Sequence, residues 1–148
     1  MKQFETLTQE ERDLLFKTPV LVSLLASGAG EMHSDRKVEA IKLAHVKAFV
    51  SHPLLHSYYA EVEKRFETQF EAAANKYFPL DDKKRNDLKE EIAKATRVIE
   101  ALDPGFGSIL YISFNEYGIH VKEANHTVFR DFIFPIPISG FSAWRSSN

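Results

Sequence analysis

Apolar residues recur along most of this chain at steps of three and four, the spacing that lines up one face of an α-helix. The clearest run is Leu55, Tyr59, Val62, Phe66, Phe70, Ala73 and Tyr77, which predicts a long helix closed by Phe78-Pro79-Leu80. The next is Leu88, Ile92, Ala95, Ile99 and Leu102, a narrow seam suited to packing between helices. Asp81 or Asp82 is its expected cap, and Asp103-Pro104-Gly105 its expected end. Phe106, Ile109, Leu110, Ser113, Phe114, Tyr117 and Val121 predict a further helix, with Gly118 as the point where it can bend. Ile109 to Phe114 is also the one segment that competes as a strand, bounded by Gly107-Ser108. No segment sustains the apolar–polar alternation of a half-buried strand. The predicted fold class is therefore all-α, a single-domain bundle of six or seven helices.

The N-terminal third has its own punctuation. Thr8-Gln9-Glu10-Glu11 is a capping box, and it opens a short helix expected to run to about Lys17. Thr18-Pro19 predicts a restart, with Thr as N-cap and Pro at the first helical position. The run from Val20 to Ala26 is apolar nearly all round, which predicts a central second helix ended by Gly28 and Gly30. It is too short to span a bilayer. Ser34 caps a third helix with Asp35 well placed against the dipole, and Val38, Ile41, Leu43, Ala44, Ala48 and Phe49 form its apolar side. Ser51-His52-Pro53 breaks it, with His52 the expected cap of the next helix. Near the other end, Val128, Phe129, Phe132 and Ile133 mark a short amphipathic turn. The prolines of Phe134-Pro135-Ile136-Pro137-Ile138 predict an extended segment laid back over the domain. The core is expected over about residues 7–138 of a single 1–148 domain, with 142–148 frayed.

Composition narrows the function classes. The chain has 148 residues, 19 basic and 21 acidic, with a pI near 6.3, which argues against a nucleic-acid partner. Its longest basic cluster, Lys83-Lys84-Arg85, is followed by Asp87, Glu90 and Glu91 and reads as a solvated helix face. The absence of cysteine excludes disulfides, Cys-ligated zinc and thiol nucleophiles, and it suits the cytoplasm. Met1-Lys2-Gln3-Phe4-Glu5 does not read as a signal peptide, and no membrane span is expected. Twelve Phe and five Tyr are many for this length and read mainly as core. Tyr58 sits beside Tyr59, and neighbours cannot share one helix face. Tyr58, with His56, is thus the expected interaction surface, and a homodimer is plausible.

Candidate chemistry is sparse. His52 and His56 are four apart, but Pro53 between them makes His52 a cap, and His45 lies across the same break. Glu123-Ala124-Asn125-His126 is a single Glu-x-x-His, where di-iron bundles use two. Metalloprotease, Gly-x-Ser-x-Gly and phosphate-loop patterns are missing, and Gly105-Phe106-Gly107 reads as a turn. The most informative stretch is the glycine-rich loop from Ser27 to Ile41. Loops of this form often carry acidic metal ligands, yet the best-placed position is Ala29.

The segment from Leu7 to Phe49 resembles the first helical hairpin of the tellurite-resistance TerB-like domains. The resemblance is carried by the Gly-Glu-Met turn at Gly30 to Met32 and by Ala40-Ile41-Lys42-Leu43-Ala44-His45. It implies an all-helical bundle, often of two related helix-loop-helix halves. Phe114 to Glu123 then reads either as a degraded second loop or as one continuous helix. The resemblance also implies carboxylate ligands for a divalent cation. In this chain the family Asp falls on Ala29, the polar cap on His33 and the helix Glu on Arg36. The remaining ligand set is Glu31, His33, Asp35 and Glu39, short of the six or more oxygens that calcium wants. The expected function is a non-catalytic intracellular helical module that binds a protein partner or small ligand, with no cofactor required. The alternatives are a divalent-metal binder or sensor using the 29–39 loop, and a small helical metalloenzyme using His45, His52, His56 or the Glu123/His126 pair.

Overall fold

A computed structural model describes residues 2–26, 40–42, 44–47 and 52–124, the last four of these as backbone. Thr8 and Glu11 start the first helix as the capping box predicts. The Glu11 amide donates to Thr8 Oγ1 at 3.1 Å, and the Thr8 amide to Glu11 Oε1 at 2.8 Å. The expected break at Thr18-Pro19 does not occur. One helix, α1, runs Gln9–Ala26 with Pro19 inside it.

The reason lies in how the backbone bonds at the proline are met. Pro19 has no N–H, so the carbonyl four residues back, on Leu15, loses its helical donor. The Tyr58 hydroxyl donates to that carbonyl instead. Thr18 is not a cap: its hydroxyl donates to Leu14 O at 2.7 Å from a buried mid-helix position, and Ser23 does the same to Pro19 O at 2.7 Å. Every residue from Leu15 to Ala26 except Lys17 is buried, and that burial holds the helix together through its proline.

Three further long helices pack around α1. His52 accepts the Leu54 amide on Nδ1 at 3.1 Å and starts a 3₁₀ turn, Pro53–Leu55, which leads into α2, His56–Tyr77. Phe78 turns extended before Pro79 and ends α2. Asp81 takes the Lys84 amide at 2.7 Å and caps α3, Asp82–Glu100. Asp103 accepts the Phe106 amide at 3.2 Å and opens α4, Pro104–Ala124. Helix α1 touches α2, α3 and α4, and α3 also packs on both α2 and α4.

Several expectations are corrected here. Gly105-Phe106-Gly107 is the first turn of α4, because Asp103 and Pro104 form its N-terminus. Residues 109–114 are helical, and 114–123 is one continuous helix through Gly118. Residues 40–42 and 44–47 are helical; Ala44 is buried as the apolar pattern predicts, and Ala40, outside that pattern, is buried as well. Counting these as one helix, the described residues hold five helices and no strand, not six or seven helices. Fusion across Pro19 removes one, and the turn expected at 128–133 and the extended 134–138 segment lie outside the described residues. The core begins before residue 7: Phe4 is buried, its carbonyl takes Arg12 Nε at 3.0 Å, and its ring meets Phe16 at 5.4 Å and Phe106 at 5.9 Å.

Tyr58 is also corrected. It is fully buried, as is Tyr59. Neighbouring positions on a helix do point apart, but the start of α2 is covered on both sides. Tyr58 reaches α1 at Leu15, while Tyr59 exchanges a hydrogen bond with Ser113 of α4. Phe16 stacks on Tyr58 at 5.5 Å, and Tyr59 lies parallel to Tyr117 at 6.4 Å. Tyr117 in turn donates to Ala40 O at 2.6 Å, which ties α4 to the helical residues near 40. No helix among the described residues is long and apolar enough to cross a membrane.

Burial pushes the phenols of Tyr58 and Tyr117 well above their ordinary pKa, and raises Tyr59 despite its Ser113 hydrogen bond. An unfolded phenol ionises near pH 10. Above that pH the unfolded chain releases protons that the folded chain keeps, so stability is intact below pH 10 and falls as pH rises. The expected loss is up to ~1.4 kcal/mol per pH unit for each phenol. Urea denaturation between about pH 9 and 11 should show this fall, with 295-nm absorbance of these three phenols appearing only on unfolding. Ionisation of more than two of the five tyrosines while the far-ultraviolet signal stays native would contradict the buried placement.

Candidate functional site

Helix α1 is polar on one side of its first half and buried throughout its second. Glu10, Asp13, Leu14 and Lys17 follow helical spacing and share the polar side. On α3, Asn86, Asp87, Glu90, Glu91 and Lys94 do the same. These two faces, with Lys76 and Tyr77 from the last turn of α2, line an open cleft of about 920 Å³.

Glu91 ties the three helices together at this cleft. Lys17 Nζ lies 2.6 Å from Oε1, the Tyr77 hydroxyl donates to Oε2, and Lys76 Nζ stands 4.0 Å from Oε2. Only 16% of the Glu91 side chain is exposed. Burial by itself pushes the Glu91 carboxyl up, but Lys17, Tyr77 and Lys76 together outweigh it and hold the group below its usual range. The same carboxylate, after burial, raises the Tyr77 phenol. The cleft continues into a side recess of about 160 Å³ where Gln69 joins Leu21, Ala72 and Ala73. Gln69 Oε1 is buried there with no hydrogen-bond partner among the described residues.

The expected site residues do not assemble here. His45 Nδ1 pairs with Glu63 Oε2 at 3.1 Å on the surface. His52 is occupied as a cap, His56 is half-buried in the first turn of α2, and Tyr58 is core. Glu31, His33, Asp35, Glu39 and His126 lie outside the described residues, and Glu123 is described as backbone alone. Among the described residues no three His, Asp or Glu side chains gather in a way that could hold a metal ion. Lys83 pairs with Asp87 at 3.2 Å, in keeping with a solvated helix face.

Sequence pattern had pointed to none of the Glu91 group. One signal was present: Lys17 is the lone charge in the run Leu14-Leu15-Phe16-Lys17-Thr18-Pro19-Val20. A lysine embedded in an apolar helix calls for a counter-charge from a neighbouring element. Glu91, next to the seam residue Ile92, is where that neighbour supplies one. A comparison with protein-family models, curated proteins and solved structures finds no match to this chain.

Glu91→Gln removes the charge and keeps the shape. It should lower stability near pH 7 by about 1.5–3 kcal/mol, the range for hydrogen bonds to charged groups. Because the folded-state carboxyl is held low, this contribution is present above the ordinary carboxylate range and is lost as pH falls from that range through the lowered folded-state value. Denaturant melts of both proteins should therefore converge in acid. A gap of the same size near pH 7 and near pH 3.5 would contradict the charged network.

Proposed function

We propose that the protein is a non-catalytic helical module of TerB-like arrangement that acts in the cytoplasm by binding, with the cleft between α1 and α3 as its binding face. The observation that carries this reading is the charge of that cleft. Five carboxylates face three ammoniums; Lys17 and Lys76 already face Glu91, while Asp13 and Asp87 are paired by Arg65 and Lys83 from outside the lining, each at 3.2 Å. Glu10 and Glu90 line the cleft, stay exposed, and have no ion-pair partner among the described residues. A concave surface with this excess attracts cations and repels anions. The favoured partner is a protein segment that presents lysine or arginine side chains. The helical architecture of the described residues and the cysteine-free composition support the TerB-like and cytoplasmic parts of the proposal.

A fluorescently labelled oligolysine peptide tests the reading by anisotropy. Binding should weaken with added salt, and by about tenfold or more in the double variant Glu10→Lys/Glu90→Lys. Glu67→Lys, on α2 outside the cleft, should leave it unchanged. Equal affinity for the cleft variant and the parent, or no binding at low salt, would overturn the proposal.

A further inference from the structure

A second cavity, of about 460 Å³, shares no lining residue with the α1–α3 cleft. That volume suits a small organic molecule. Its wall is apolar on one side, from Leu55, Ile109 and Ile112. Its polar groups are Lys47, His52, Ser113 and Glu116.

Lys47 is the unusual member. Its side chain is only 12% exposed, whereas that of its partner Glu116 is 63% exposed, and Nζ stands 3.7 Å from Glu116 Oε2. That is ion-pair range but longer than a charge-assisted hydrogen bond of about 2.7–2.9 Å. The ammonium also faces the Tyr59 ring, 5.5 Å from its centroid. A largely buried ammonium with three donors, whose one counter-ion among the described residues is loosely held and solvent-facing, is under-compensated by them. Burial accordingly lowers its pKa, and Glu116 offsets this only in part. His52 adds a second donor. Its Nδ1 accepts the Leu54 amide, so the neutral ring carries its proton on Nε2. The Ser113 hydroxyl is fixed by its hydrogen bond to Tyr59.

We propose that this cavity is a binding site for a small amphipathic monocarboxylate. The carboxylate takes Lys47 in exchange for Glu116, with His52 as second donor, and a short alkyl chain lies on Leu55, Ile109 and Ile112. The inference stands apart from the cationic-partner reading of the other cleft.

Calorimetric titration with sodium hexanoate tests it. Hexanoate should bind with a dissociation constant below about 1 mM, and hexan-1-ol at least about tenfold more weakly. Lys47→Met should cost hexanoate about tenfold or more, and Glu116→Gln should tighten it about threefold by removing the competing carboxylate. The second variant keeps the lysine in place, so the test holds even if the first fails to fold. Lys89→Glu, exposed on α3 and lining neither cavity, should leave hexanoate affinity unchanged. The proposal fails if hexanol binds as well as hexanoate, if folded Lys47→Met binds as well as the parent, if Glu116→Gln weakens binding, or if no heat is seen up to about 10 mM.

Discussion

The fold turns on one hydrogen bond from the Tyr58 hydroxyl to the Leu15 carbonyl. Pro19 removes the amide that would otherwise serve that carbonyl. A buried carbonyl left without a donor costs about 1–3 kcal/mol, a large part of the roughly 3 kcal/mol that an interior proline costs a helix. A side chain from another helix supplies the donor. Local order in α1 therefore depends on tertiary packing, and the docking of α2 depends on a defect in α1.

The two candidate binding regions descend from that arrangement. Because α1 continues through Pro19, its buried half sits among α2, α3 and α4 while its first half offers Glu10, Asp13 and Lys17 to the face of α3. Lys17 then meets Glu91, and the cleft is charged on both sides. Tyr58 commits one side of α2 to α1, which leaves Tyr59 to engage α4 through Ser113 and the ring of Tyr117. Lys47 lies over that same Tyr59 ring, so the second tyrosine of the pair stands behind two residues of the second cavity, Lys47 and Ser113.

Helices were the legible part of the sequence. The steps of three and four through Tyr59 to Tyr77 and Leu88 to Leu102 mark side chains that are all buried, and the capping box at Thr8, the His52 cap and the Asp81 cap are all present. The errors share a cause. Thr18-Pro19 has the local form of a helix start, and Tyr58-Tyr59 has the local form of one exposed and one buried aromatic. Each is decided by a residue some 40 positions away, Tyr58 for the first and Leu15 for the second, and helical periodicity carries no information at that range. The candidate sites were less legible still. Glu91, Lys17 and Tyr77 come from three helices, and Lys47, His52 and Glu116 are similarly scattered along the chain, so no local motif marks either group. Of the glycine-rich stretch from Ser27 to Ile41 that dominates the sequence reading, residues 27–39 lie outside the described residues.

A double-mutant cycle on Pro19 and Tyr58, read by urea denaturation near pH 7, tests the central claim most directly. In Pro19→Ala the new amide can serve Leu15 O, so removing the Tyr58 hydroxyl should no longer strand a buried carbonyl. Tyr58→Phe should cost about 1–3 kcal/mol in the parent and at least about 1 kcal/mol less in the Pro19→Ala background. Equal costs in the two backgrounds would show that the hydroxyl does not compensate for the proline, and the account built on it would fall.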